Sequence, residues 1–197
     1  MKAIVSILCV AVLCFSFVAP AGYSVGDTVT DFKLKNIDGK LVSLSSFETK
    51  GVIVIFDCNT CPVSKAYNTR ILALAKKYNT TYPVLAINAN DPEVSPGDSF
   101  EEMIRYAKDK GYTFPYLFDE TQNVAKSFGA TNTPHVFVLT KSGKEFKVSY
   151  IGAIDENTRN ASEAKKKYVE QAIDELLAGK AVTTSKTKAV GCGIKWK

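Results

Sequence analysis

Residues 52–67 read VIVIFDCNTCPVSKAY, and the fold turns on this stretch. Val52 to Phe56 are five consecutive β-prone apolar residues, the mark of a strand buried on both faces. Asp57 ends the run. Cys58 and Cys61 follow in a C-x-x-C spacing, and Pro62 opens a helical pattern that reaches Lys77. The two sulfurs therefore belong where a central strand hands over to a helix N-terminus. Backbone N–H groups and the positive end of the helix dipole meet there, and both stabilise a thiolate. The pair reads as a redox dithiol.

Upstream, Phe32 to Lys35 and Leu41 to Leu44 alternate around an Asp38-Gly39 turn and predict a β-hairpin. Downstream, Pro83 to Ile87 predict a second buried strand, and Asn88 to Asp98 a polar loop. Ser99-Phe100-Glu101-Glu102 is a capping box for a helix stopped by Gly111. A short strand at Tyr116–Phe118 and a helix over Asp119–Phe128 follow. Then come strands at Val136–Leu139 and Phe146–Ile151, and an amphipathic helix over Lys165–Leu177. Strand–helix alternation closed by a hairpin and a helix predicts one α/β domain over residues 22–180. Residues 181–197 form a tail, linker-like over Ala181 to Val190. Its apolar cluster is Gly191-Cys192-Gly193-Ile194-Lys195-Trp196.

The composition, 46% hydrophobic and 23% charged, is that of a globular protein. A net charge of +5 without a dense Lys/Arg block argues against a nucleic-acid partner. Residues 1–21 carry Lys2, an apolar run from Ala3 to Val18 and an A-x-A-like site at Ala19-Pro20-Ala21. They are expected to be a signal peptide for export to the periplasm, with membrane attachment only if it stays uncleaved. Its removal leaves Cys58, Cys61 and Cys192, too few for a disulfide-stapled scaffold. Two cysteines three positions apart also close too short a loop to stabilise much. A reactive role explains them better.

C-x-x-C at a strand–helix junction, with Thr133-Pro134 just ahead of the penultimate hairpin, resembles the thioredoxin fold. The N-terminal hairpin and the insertion around 88–119 resemble its peroxiredoxin-like branch, the alkyl hydroperoxide reductase and thiol-specific antioxidant proteins. The resemblance implies a central mixed sheet flanked by helices, with an N-terminal β-hairpin extension. It implies a cis Pro134 facing the dithiol and a Thr133 backbone offered to an extended substrate. It implies no organic cofactor, and dithiol or disulfide protein partners; a monomer is expected. There are departures. Asp57 stands where thioredoxin has Trp, Asn59-Thr60 where it has Gly-Pro, and Val52 where it buries an acid. Peroxiredoxins need P-x-x-x-T-x-x-C. With Cys61 as that cysteine, Cys58 takes the place of the Thr and Val54 of the Pro, and no Arg accompanies Thr133-Pro134.

Exchange needs an accessible thiolate to attack and a second thiol to resolve the mixed disulfide. Cys58, one turn earlier, is expected to be the more exposed and to attack, with Cys61 resolving. Asp57 works against this by raising a neighbouring thiol pKa. The leading expectation is thus an exported thiol–disulfide oxidoreductase acting through Cys58, Cys61, Thr133 and Pro134. A second reading is thiol-dependent peroxide reduction through Cys61. A third is a metal-binding module built from Cys58, Cys61, Cys192 and the single histidine, His135, although His135 is also expected to begin a strand and pack. Cys192 is a candidate third thiol. Ile194 and Trp196 are expected to anchor the tail and hold Cys192 within reach of the dithiol.

Overall fold

The computed structural model describes residues 22–197; the expected signal peptide, residues 1–21, lies outside them. In chain order the elements are β1 (Thr28–Val29), β2 (Lys33–Asn36), β3 (Leu41–Ser43), β4 (Gly51–Phe56), α1 (Pro62–Tyr78), β5 (Val84–Asn88) and α2 (Phe100–Lys110). There follow β6 (Tyr116–Phe118), α3 (Asn123–Phe128), β7 (Asn132–Thr133), β8 (His135–Ser142), β9 (Glu145–Gly152), α4 (Tyr168–Leu177) and β10 (Cys192–Gly193).

Eight of these strands form one mixed sheet in the order β1-β9-β8-β4-β5-β6-β2-β3. β4 lies near its centre, parallel to β5 and antiparallel to β8. Every residue of β4 is buried, because both faces of the sheet are covered. Successive side chains point to opposite faces. Ile53 and Ile55 pack with Tyr67 and Ile71 of α1, Met103 of α2 and Ile173 of α4. Val52, Val54 and Phe56 pack on the other face with Phe128 of α3 and Phe137 of β8. Each such side chain contributes roughly 1.5–3 kcal/mol on burial, so β4 is the fixed base on which the dithiol stands. The hairpin β2–β3 continues the sheet beyond β6, with Lys35 opposite Phe118, and β1 pairs with β9 at the far edge.

Three expectations are corrected. α4 begins at Tyr168 and not at Lys165, because Glu156 Oε1 accepts the N–H groups of Lys165 and Lys166 and holds them outside the helix. α3 begins at Asn123 and not at Asp119. The Asp119 carboxylate instead accepts the Ala125 N–H at 2.8 Å, ahead of the first turn. The stretch from Ala181 to Val190 is not a free linker. Ile151 N–H donates to Ser185 O and Thr187 N–H to Ile151 O, at 3.0 and 2.9 Å. The Thr187 hydroxyl lies 2.6 Å from the Tyr150 hydroxyl and accepts from Ala153 N–H. Thr187 fits there because Gly152, at φ 149°, has no Cβ to collide with it.

Candidate active site

The chain leaves β4 at Phe56 and reaches the N-terminus of α1 through Asp57-Cys58-Asn59-Thr60-Cys61. Cys61 is the N-cap of α1, and its Sγ accepts the Ser64 N–H at 3.5 Å. Pro62 takes the first helical position, where no N–H is needed. The turn between the cysteines is held by Asp98. Its Oδ1 accepts the Asn59 N–H at 2.7 Å and Asn88 Nδ2 at 3.2 Å. Its Oδ2 accepts from Thr60 Oγ1, Asn90 Nδ2 and Ser95 Oγ at 2.7, 2.8 and 2.7 Å. Tyr116 donates its hydroxyl to Asn59 Oδ1 at 2.9 Å from below.

Thr133, on β7 just ahead of β8, faces the dithiol, and the Thr133–Pro134 peptide bond is cis. Thr133 Oγ1 lies 3.2 Å from Cys58 Sγ, and Thr133 O lies 3.2 Å from Cys61 Sγ. Cys192 Sγ lies 2.7 Å from Cys61 Sγ. Cys58, Cys61, Thr133, Pro134 and Cys192 are thus brought to one place, with Cys61 the sulfur that touches both Thr133 O and Cys192. The greater exposure expected of Cys58 is not found. Cys58 is 1% exposed and Cys61 2%; Thr133 lies against both, and Cys192 of the tail against Cys61.

The three thiols do not share charge evenly. The hydrogen bond from Cys58 lowers the Cys61 pKa to about 4; burial opposes it, and Cys192 and the Ser64 N–H add to it. The same contact pushes Cys58 well above the ordinary thiol range, aided by burial and by the negative charge of Asp98. Burial, then the neighbouring Cys61, raises Cys192. An N-cap sulfur is where the helix dipole favours negative charge, the same direction in which the Cys61 pKa is shifted. Behind it, burial lifts the Asp57 carboxyl to about 6, with Tyr112 O–H donating to Oδ2 at 3.3 Å. Asp57 Oδ1 is buried without a hydrogen-bond partner.

The tail carries Cys192 on β10, which pairs antiparallel with β7: Cys192 lies opposite Thr133 and Gly193 opposite Asn132. Ile194 is 6% exposed and joins the core face of Phe128 and Phe137. Trp196 does not bury as expected. It is 38% exposed, with Lys126 Nζ 5.9 Å from its ring centre. The other fastening is polar. Lys195 N–H donates to Asn90 Oδ1, and Lys195 O accepts from Asp91 N–H and Gln122 Nε2. Gln122 has a left-handed backbone at φ 62°, which costs a non-glycine residue about 1–2 kcal/mol, and its amide also bonds Ala89 O and Lys197 N–H.

His135 does not complete a metal site with the sulfurs. It begins β8, its ring lies 4.8 Å from that of Phe137, and Nδ1 accepts the Thr131 N–H. Burial, with Lys186 nearby, lowers its pKa to about 4. Among the described residues no three His, Cys, Asp or Glu side chains are arranged to hold a metal ion. Asp98, Asn88, Asn90, Tyr112 and Gln122 are site-supporting residues that the sequence did not single out. The visible trace of Asn88, Asn90 and Asp98 is the polar run that begins at the end of β5, where a strand end meets the site; Tyr112 and Gln122 leave none.

The AhpC/TSA family model matches residues 25–147. The thiol-disulfide oxidoreductase ResA of Geobacillus thermodenitrificans is 25% identical over 156 residues, 75% of this chain and 84% of ResA. An uncharacterized conserved protein of Geobacillus kaustophilus superposes with a TM-score of 0.81 at 35% identity, covering 88% of this chain and 93% of that one. A hypothetical protein of Sinorhizobium meliloti 1021 does so with a TM-score of 0.81 at 32% identity, covering 89% and 96%. The mixed sheet, the dithiol at its central strand–helix junction and a family match over most of the chain lead to one assignment: this chain belongs to the AhpC/TSA family, in its thioredoxin-like setting.

Proposed function

We propose that the chain is a thiol–disulfide oxidoreductase of protein substrates in which Cys61 is the nucleophile and Cys58 the resolving thiol. This inverts the order expected from the sequence. The observation that carries it is the Cys61 sulfur at the N-cap of α1, hydrogen-bonded by Ser64 N–H and flanked by Cys58. The relatives named thiol-disulfide oxidoreductase support the reaction class.

Cys61 thiolate attacks one sulfur of a substrate disulfide, and the other substrate sulfur leaves as a thiolate. Cys58 then attacks Cys61 Sγ, releases the second substrate thiol and leaves a Cys58–Cys61 disulfide. Two electrons have passed to the substrate. An external dithiol returns them. The Thr133 edge supports an extended substrate, since its backbone already holds a two-residue antiparallel strand. The apolar run Ala3 to Val18 behind Lys2, within residues 1–21, supports work outside the cytoplasm, where disulfides persist. No helix among the described residues is long and apolar enough to cross a membrane.

The test is trapping. The doubly substituted chain Cys58→Ser, Cys192→Ser is expected to accumulate a mixed disulfide on Cys61 with oxidised insulin or another disulfide protein. Cys61→Ser is expected to trap nothing and to lose insulin reduction. Full activity in Cys61→Ser would overturn the assignment.

A further inference from the structure

The tail lies where a substrate would lie. Cys192 sits opposite Thr133 in an antiparallel pair, and Ile194 N–H continues the pairing to Thr131 O at 3.1 Å. Asn132 Nδ2 donates to Gly191 O at 3.0 Å. Gly191 is required by this fit, because a Cβ there would run into the Thr133 carbonyl. The sulfur so delivered stands 2.7 Å from Cys61 Sγ. Cys58 and Cys61 are buried, whereas Cys192 is partly exposed. Of the three thiols gathered here, the one an external protein meets first is therefore Cys192.

We propose that Cys192 is a third redox thiol, a tethered relay that carries the disulfide from the buried pair to the surface. The proposal rests on the reading of Cys58 and Cys61 as a redox dithiol. In the oxidised protein, Cys192 thiolate attacks Cys61 Sγ of the Cys58–Cys61 disulfide. A Cys61–Cys192 bond forms, the Cys58–Cys61 bond breaks, and Cys58 leaves as a thiolate that takes the proton Cys192 gave up. No outside oxidant is consumed. A partner dithiol then attacks Cys192 Sγ, and Cys61 departs as the stabilised thiolate. The partner's second thiol resolves the mixed disulfide, leaving Cys192 reduced and the partner oxidised. The attack falls on Cys192 for two reasons: it is the accessible sulfur, and the sulfur that leaves most readily is the one with the lower pKa. While the Cys61–Cys192 bond stands, it also fastens β10 over Thr133 and closes the substrate edge.

The experiment uses the full chain. Reduced wild type, Cys58→Ser, Cys192→Ser and Gly191→Ala proteins are oxidised with one equivalent of diamide, quenched in acid and mapped by mass spectrometry without reduction. Cys58→Ser is expected to yield an intramolecular Cys61–Cys192 disulfide, and the wild type both that bond and Cys58–Cys61. Gly191→Ala keeps all three thiols but lifts the strand. It is expected to lose Cys61–Cys192 several-fold while still forming Cys58–Cys61. The oxidised proteins are then mixed with reduced thioredoxin as the partner dithiol, and the wild type is expected to recover its thiols at least tenfold faster than Cys192→Ser. Absence of Cys61–Cys192 in Cys58→Ser, an unchanged yield in Gly191→Ala, or equal rates of recovery would each overturn the relay. Failure of Cys192→Ser to form Cys58–Cys61 would instead overturn the underlying dithiol reading, and the relay with it.

Discussion

Replacing Asp98 by Ala removes the acceptor around which the turn between the two cysteines is built. Asp98 is fully buried, and its carboxylate accepts five hydrogen bonds. The Thr60 and Ser95 hydroxyls can rotate toward other acceptors. The Asn59 N–H and the side-chain amides of Asn88 and Asn90 are buried, and would be left without their partner. An unsatisfied buried donor costs roughly 1–3 kcal/mol, so three of them set a loss of about 3 kcal/mol at the low end. For a chain of this size, that corresponds to a fall in Tm of roughly 6–12 °C. Asp98→Asn keeps one oxygen acceptor and is expected to lose about half as much. The assay is urea unfolding of the reduced protein, with hydrogen exchange at Asn59 and Lys195. The Lys195 amide enters because its acceptor, Asn90, is itself oriented by Asp98. An Asp98→Ala protein within 1 kcal/mol of wild type, or unchanged exchange at both amides, would refute the view that one carboxylate fixes the dithiol turn and the tail together.

Asp57 gives a pH-dependent prediction. Burial raises its pKa from 3.8 to about 6, so the folded chain binds this proton more tightly than the unfolded chain. The group's contribution is fully present below pH 3.8 and is lost as pH rises through 6; the shift corresponds to about 3 kcal/mol. Asp57→Asn is therefore expected to unfold at a higher temperature than wild type at pH 8 and to lose that advantage near pH 4. Equal gains at both pH values would disprove the cause. For Cys61, thiolate absorbance at 240 nm in the reduced protein should persist down to about pH 4, and Cys58→Ser should move that titration upward, since Cys58 is the largest contributor. A titration midpoint near 8 in the wild type would contradict the N-cap thiolate. Hydrogen peroxide is expected to oxidise the reduced protein no faster than it oxidises free cysteine, because Cys58 and Val54 stand where peroxiredoxins carry Thr and Pro and no Arg accompanies Thr133-Pro134. Stopped-flow rates far above free cysteine would revive the peroxidase reading.

The central strand and the order of elements were legible in the sequence because each rests on a local pattern. Val52 to Phe56 admit one reading, and Gly111 and Gly129 end α2 and α3 as left-handed caps. The start of α4 was not legible. It depends on Glu156 capturing two backbone N–H groups nine and ten residues later, an interaction that no helical periodicity encodes. The placing of the hairpin also escaped a local reading, since β2 joins β6 only through residues some eighty positions downstream.

The C-x-x-C pair and Thr133-Pro134 could be found by type and spacing, but their division of labour could not. Exposure along a strand–helix junction follows chain position only when nothing lies above it, and here a strand from the far end of the chain does. That strand is held less by its large aromatic residue than by what precedes it. Ile194 enters the core face, while Lys195 is pinned through both its N–H and its C=O by Asn90, Asp91 and Gln122. Asn90 in turn donates to Asp98, which accepts the N–H of Asn59 between Cys58 and Cys61. A single buried polar network therefore sets the position of the dithiol and of Cys192 against each other. Such a network has no sequence period, because its members come from the ends of separate elements and are polar for each other's sake. The tail's fastening and the geometry of the dithiol are on this account one structural property, and a substitution that loosens either is transmitted to the other through Asp98 and Asn90.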